Sequence, residues 1–168
     1  MKPLVSIIMG STSDWQVMEK AAKFMDEQQI PFEINALSAH RTPDEVEKFA
    51  REAETRGIKV IIAGAGMAAH LPGVIAAMTT LPVIGVPIQG KFDGMDALLS
   101  IVQMPPGIPV ATVAVNGALN AAILALQMLA TDNDEYKGKI KTYKSGLKQK
   151  IVKANENLSE LNFEYRVK

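Results

Sequence analysis

The chain has 168 residues, with 18 Lys and Arg against 18 Asp and Glu, and it contains no cysteine. This length suits one domain that needs no metal or disulfide to stabilise its core, and the lack of cysteine excludes a disulfide framework, a thiolate metal site and a cysteine nucleophile. Zero net charge argues against nucleic-acid binding, and no apolar stretch is typical of a membrane span or secretory signal, so we expect a soluble, cytoplasmic protein with no membrane partner.

Short apolar runs alternate with helix-like segments through the first 131 residues. Five runs bounded by Gly or Pro predict strands buried on both faces, at 4–9, 32–37, 58–63, 83–86 and 110–115. Helices are predicted at 14–29, 42–56 and 116–131. The alternation predicts right-handed crossovers, and therefore an α/β fold with a three-layer, doubly wound parallel sheet.

The helix predicted at 42–56 has recognisable start and stop signals. Thr42 and Glu45 have the spacing of a capping box, and Pro43 stands at the first helical position. Gly57 is the residue type that commonly ends a helix.

Residues 132–168 form a C-terminal helical extension outside this alternation. They carry 9 basic and 6 acidic side chains, whereas residues 1–130 carry 9 basic and 12 acidic side chains. A mildly basic segment of mixed charge is typical of a solvated helix face. A sparse apolar stripe at helical spacing predicts one extra helix over 132–165. The stripe consists of Ile140, Tyr143, Leu147, Ile151, Ala154, Leu158 and Leu161. We expect it to pack on a neighbouring subunit, with packing on its own domain as the alternative.

Ligands of parallel sheets bind beyond the carboxyl ends of the strands, so the loops after the strands are the candidate site. The first loop, 10–14, places Ser11 and Ser13 beside free backbone N–H groups at a helix start, which predicts an anion site. Asp14 either caps the helix or accepts a hydrogen bond from a ribose hydroxyl.

The second loop, 38–42, contains the residues best suited to proton and phosphate chemistry. His40 follows a strand, and histidine is the side chain that changes charge near neutral pH. Arg41 has the planar cation that suits a phosphate, and Ser38 supplies a nearby hydroxyl.

The third loop, 64–73, is rich in small residues that let a ligand approach the backbone. Gly64, Gly66 and Ala69 give a weak match to a dinucleotide fingerprint, but no acidic residue follows at the ribose-binding distance. His70 either contacts the ligand or has a structural role. A further loop at 87–94 also follows a predicted strand.

The sequence lacks the motifs of several classes of enzyme. The sequence has no phosphate loop, no Gly-x-Ser-x-Gly elbow, and only two histidines for a zinc site. These observations favour metal-free proton chemistry on a small phosphorylated ligand.

Four motifs together resemble one enzyme family. GSTSD at 10–14, SAHRTP at 38–43, AGAGMAAHLPG at 63–73 and SIVQMP at 100–105 are similar to class I 5-(carboxyamino)imidazole ribonucleotide mutase of de novo purine synthesis. The resemblance implies a flavodoxin-like catalytic domain over 1–131 and a homo-octamer with active sites at subunit contacts. It implies transfer of a carboxylate from the exocyclic nitrogen to ring carbon 4 of an imidazole ribonucleotide, without metal or nucleotide cofactor.

The resemblance also implies residue roles. Ser11, Ser13 and Asp14 would hold the ribose phosphate end of the substrate, helped by Ser38 and Arg41. His40 would be the general acid and base. The place for carbon dioxide would be lined by His70 and the backbone of the third loop, including Gly64, Gly66, Ala68 and Ala69.

Three departures keep two alternatives open. Met67 stands where the family usually has glycine, and the segments 89–94 and 115–121 are shorter than usual. One alternative is a carboxylase that uses free carbon dioxide on aminoimidazole ribonucleotide. The other is a non-catalytic nucleotide-binding relative in which Met67 blocks the pocket.

Overall fold

A computed structural model describes residues 2–167, and five parallel strands form its sheet in the order β2-β1-β3-β4-β5. The strands are β1 (Val5–Met9), β2 (Phe32–Ala36), β3 (Val60–Gly66), β4 (Val83–Ile88) and β5 (Ala111–Thr112). The helices are α1 (Trp15–Glu27), α2 (Pro43–Arg56), α3 (Leu71–Ala76), α4 (Met95–Val102), α5 (Ala118–Leu129) and α6 (Asp134–Ser159). This arrangement confirms the predicted doubly wound α/β fold with an extra C-terminal helix.

Alternate residues of the central strands enter two separate cores because the sheet is covered on both faces. Ile7 and Ile62 pack with α1 and α5 on one face, whereas Ile8 and Ile61 pack with α2, α3 and α4 on the other. All four isoleucines are completely buried. The continuous Val and Ile runs of the sequence therefore have the physical cause expected of a parallel sheet.

The chain turns to opposite faces of the sheet after β1 and after β3, although these strands are neighbours. The loop after β1 leads to α1 on one face, and the loop after β3 leads to α3 on the other. A crevice opens at such a switch point, which places the first and third loops on either side of it.

Several strands and helices begin or end at residues other than those predicted. Strand β3 continues to Gly66, and α3 starts at Leu71, so both enter the segment predicted as a loop. Strand β5 has only two residues, and the short helices α3 and α4 had no predicted counterpart. Short helices bury few residues and leave a weak periodic signal.

The predicted capping box at the start of α2 is wrong. Thr42 makes no side-chain cap hydrogen bond. Its hydroxyl instead accepts from the backbone N–H of Ser38 at 2.9 Å and lies 3.1 Å from the Ser38 carbonyl oxygen, to which it donates. The side chain of Thr42 therefore closes the second loop rather than the helix. Pro43 does begin α2, and Gly57 ends it in the left-handed conformation, at φ +100°.

Helix α6 has two halves with different surroundings. Tyr136, Ile140 and Tyr143 pack against the core that contains α1 and α5, and the Tyr143 ring meets Phe24 edge-on at 5.1 Å between centroids. From Leu147 onward the apolar side chains are exposed, and Ile151 is 72% exposed. None of the described helices combines the length and hydropathy needed to cross a membrane.

Candidate active site

A cavity of about 470 Å³ lies at the carboxyl ends of β1, β2 and β3. Its size is within the usual range for small-molecule sites, ~300–1,000 Å³. The loop after β1 contributes Gly10, Ser11, Ser13 and Asp14; the loop after β2 contributes Ser38, Ala39, His40 and Arg41; and the end of β3 with its loop contributes Ala65, Gly66, Met67, Ala68, His70 and Leu71. Three loops that are distant in sequence thus enclose one space.

The first loop folds into a short turn of 3-10 helix that directs its polar groups toward the cavity. Ser11 caps this turn, because its hydroxyl oxygen accepts from the backbone N–H of Ser13 at 3.3 Å. Asp14 makes no side-chain cap bond to α1 and instead accepts from the Ser13 hydroxyl at 3.3 Å. Burial raises the pKa of the Asp14 carboxyl above its ordinary value of 3.8, against the opposing effects of the Ser13 hydrogen bond and the Arg41 charge.

Arg41 connects the second loop to the first. Its Nη2 donates to the Gly10 carbonyl oxygen at 3.1 Å, and its Nε lies 3.4 Å from the Ser38 hydroxyl oxygen, which accepts. The guanidinium is therefore held across the base of the two loops with donors to spare. Among the described residues that line the cavity, Arg41 supplies the cationic side chain.

His40 and His70 meet inside the cavity although they are 30 residues apart in the chain. His40 Nε2 lies 2.7 Å from His70 Nδ1, and the rings are nearly perpendicular, at 80°. One nitrogen must donate and the other accept, so the pair in contact cannot hold a proton on both of these atoms. The contact therefore holds one proton between the two rings.

The third loop forms a wall of small residues, but two of the predicted contact residues lie behind it. Ala68 and Gly66 line the cavity, whereas Gly64 and Ala69 do not. Gly64 is buried in β3, where an added Cβ would lie 2.5 Å from the Met18 sulfur. Ala69 is 1% exposed and packs in the core with α3.

Five further residues line the cavity beside those that the sequence singled out for substrate contact. They are Gly10, Ala39, Ala65, Met67 and Leu71. Each is adjacent in sequence to a predicted site residue, and this adjacency is the signal that could have identified it. Their apolar or backbone contributions leave no chemical signature of their own.

The site offers polar groups for an anion and a proton, but not a metal-ligand cluster. Among residues 2–167, no group of three or more His, Cys, Asp or Glu side chains is arranged to hold a metal ion. Hydroxyls, one guanidinium and two imidazoles suit a phosphorylated ligand with a group that gains or loses a proton.

Comparisons with known proteins show which family the chain belongs to. Residues 4–150 match the family described as AIR carboxylase. The chain is 56% identical over 164 residues to the N5-carboxyaminoimidazole ribonucleotide mutase of Pyrococcus horikoshii, covering 97% of this chain and 93% of the relative. It is 53% identical over 161 residues to the mutase of the same name from Bacillus subtilis, covering 94% and 99%. The crystal structure of Treponema denticola PurE matches with a TM-score of 0.85 and 32% identity, covering 93% of this chain and 98% of that one. The chain therefore belongs to the AIR carboxylase family.

Proposed function

We propose that this protein is an N5-carboxyaminoimidazole ribonucleotide mutase. It moves the carboxylate of its substrate from the exocyclic nitrogen to ring carbon 4. The observation that carries the proposal is the meeting of the first, second and third loops around one cavity, with the two histidines in contact inside it. The mutase names of full-length relatives at 53–56% identity support the same reaction.

The reaction requires one proton to be given and one to be taken. When the carbamate C–N bond breaks, the electron pair stays on nitrogen, which takes up a proton, and carbon dioxide is released. Carbon 4 of the electron-rich ring then forms the new C–C bond and loses its proton. His40 carries this proton as general acid and then general base. The proton count is unchanged over a cycle, so no other acid or base is consumed.

His70 assists in this scheme through its contact with His40. The 2.7 Å separation lets His70 exchange a proton with His40 Nε2 before and after the substrate reacts, since that nitrogen cannot hydrogen-bond His70 and act on ring carbon 4 at the same moment. His70 also lies beside the small-residue wall where we place the freed carbon dioxide, next to Gly66 and Ala68. These small residues offer water no side-chain hydrogen bonds beside the fragment.

The phosphate end of the substrate binds between the first and second loops. Ser11 and Ser13 offer hydroxyls, and Arg41 offers the charge-assisted donors that suit a phosphate. Asp14 accepts hydrogen bonds from the ribose. Proximity supplies much of the rate, because the carbon dioxide and the ring remain in one cavity between the two bond changes.

A direct assay separates this function from its alternatives. The purified protein is mixed with N5-carboxyaminoimidazole ribonucleotide, and conversion to the carbon-linked product is followed by ultraviolet absorbance. The mutase converts this substrate without added bicarbonate. Turnover only of aminoimidazole ribonucleotide with bicarbonate would instead identify a carboxylase. Ligand binding without turnover of either compound would identify a non-catalytic relative.

We also propose that the protein works as a cytoplasmic homo-oligomer, an octamer by the family resemblance, in which the second half of α6 packs on a neighbouring copy. The exposed Leu147, Ile151 and Leu158 support this, because an apolar helix face of this kind marks an interaction surface. Ile151→Lys should lower the particle mass measured by light scattering. Gln149→Lys adds the same charge on a different face and is the matched control. An unchanged mass in Ile151→Lys would contradict this packing.

A further inference from the structure

Met67 is a strained and exposed residue on the wall of the cavity. It has φ +53°, a left-handed conformation in which a side chain with a Cβ is disfavoured. Its side chain is nevertheless apolar and 63% exposed. Neither backbone preference nor burial within its own chain accounts for a methionine here, which leaves contact with a bound ligand as a physical reason for it.

The location of Met67 indicates what that contact is. Met67 follows the last residue of β3 and stands between Gly66 and Ala68, and all three line the cavity. A Cβ added at Gly90, in the loop after β4, would lie 3.9 Å from Met67 Cγ. The thioether therefore stands at the side of the cavity nearest β4, between the wall of small residues and the neighbouring loop.

The chemistry of the side chain fits one part of the proposed substrate. A methionine is flexible and polarisable, and it packs well against flat ring systems. Carbon dioxide, once released, has no net charge and forms only weak hydrogen bonds, so side chains that cover it help to keep it in the cavity. Met67 stands where the family usually has glycine, and the neighbouring Gly90 belongs to the segment 89–94, which is shorter than usual. We propose that in this chain Met67 fills the space left by the shorter segment, so that it covers the imidazole ring and the freed carbon dioxide and limits exchange of this fragment with the solvent. This inference rests on the proposed function.

The test measures how much of the transferred carbon comes from solution. Wild type, Met67→Gly and Met67→Leu are each given N5-carboxyaminoimidazole ribonucleotide in buffer with isotopically labelled bicarbonate and carbonic anhydrase. The labelled fraction of the early product is then read by mass spectrometry. Glycine adopts this backbone conformation freely and removes the cover, whereas leucine keeps an apolar side chain of similar volume.

The expected result is a labelled fraction several-fold higher in Met67→Gly than in wild type, with Met67→Leu well below Met67→Gly. Thermal melting verifies that each variant is folded. An unchanged labelled fraction in Met67→Gly, with turnover intact, would overturn the role of Met67 and leave the proposed function standing. A changed particle mass in Met67→Gly would also overturn it, since Met67 would then be covered by another subunit. No turnover in any of the three proteins would overturn the proposed function and this inference together.

Discussion

The two faces of the sheet and its carboxyl edge are built from different side chains and meet different demands. On the faces, residues such as Ile7 and Ile61 are completely buried. At the edge, His40 and Arg41 are exposed. Four of the five non-glycine residues with left-handed φ among residues 2–167 follow β3, β4 or β5 at this edge: Met67, Phe92, Asp93 and Asn116. The faces therefore supply stability, while strained residues and exposed polar groups are concentrated at the carboxyl edge, where we propose that the ligand binds.

The edge is nevertheless held in place by specific hydrogen bonds. The side-chain amides of Gln89 and Asn116 are paired at 3.1 Å, and the Asn116 carbonyl oxygen also accepts from the Gln89 backbone N–H at 2.9 Å. Arg41 fixes the loops after β1 and β2 in a similar way, through Gly10 and Ser38. Substitutions at the edge should therefore affect ligand binding and catalysis, and those on the faces should affect stability.

The largest expected effect is on catalysis, at His40. In His40→Asn an amide replaces the imidazole and cannot carry the proton, so turnover should fall by ~10²–10⁴-fold. Product affinity, measured by calorimetry, and the thermal midpoint should stay close to wild type because the side chain is exposed. Turnover near the wild-type rate would remove the proton-carrying role of His40.

The next effect is on binding, at Arg41. Arg41→Ala removes charge-assisted donors worth ~1.5–3 kcal/mol, so the product should bind roughly 10–100-fold more weakly. The unphosphorylated nucleoside is the matched control, and its affinity should change much less. An equal loss of affinity for both ligands would show that Arg41 does not bind the phosphate.

A glycine pair compares a face with the edge directly. In Gly64→Ala the new Cβ must displace the completely buried Met18, which should lower the free energy of unfolding by roughly 1–3 kcal/mol. In Gly10→Ala, at the edge, nothing lies within 4 Å of the new Cβ, so stability should change little. Denaturant unfolding measures both. Equal destabilisation of the two variants would contradict the division between face and edge.

The smallest expected effect is on stability, at Asp14. Burial raises the pKa of this carboxyl in the folded protein, so the folded chain binds the proton more tightly than the unfolded chain. The contribution of Asp14 to wild-type stability should therefore fall as the pH rises from 3.8 through the higher folded pKa, and this loss should persist at higher pH.

Asp14→Asn removes this titration and should stabilise the free protein above that window, by less than about 1 kcal/mol because the site is partly solvated. Thermal melting at several pH values follows the difference between the two proteins. If the difference instead shrinks as the pH rises through the window, the account of Asp14 is wrong.

Much of the fold could be predicted because its signals are local. Apolar runs bounded by Gly or Pro located the five strands, and Pro43 and Gly57 marked the ends of α2. The prediction that all five strands are buried on both faces is wrong for β2 and β5, which lie at the edges of the sheet and are only partly buried. The bounds of β3 and β5 could not be predicted, because pairing with neighbouring strands decides where a ladder ends. The Thr42 side chain was assigned to the wrong partner, since the backbone N–H of Ser38 in the loop and a helix N–H compete for the same hydroxyl oxygen.

The site was predictable as a set of loops, but not as a set of contacts. Parallel topology brings the ends of β1, β2 and β3 together, so the loops that contain Ser11, His40 and His70 were expected to share a cavity. The 2.7 Å contact between His40 and His70 depends on side-chain directions at the ends of two loops. The burial of Gly64 depends on how far β3 extends, which no local pattern encodes.

The role of His40 in carrying the proton of ring carbon 4 depends on one distance, from His40 Nε2 to that carbon. A crystal structure with the carbon-linked product bound would measure it. We expect this distance to be within direct or one-water reach for proton transfer, with the product phosphate beside Arg41 and the first loop. A ring bound with carbon 4 turned away from His40, or a phosphate bound elsewhere, would contradict it.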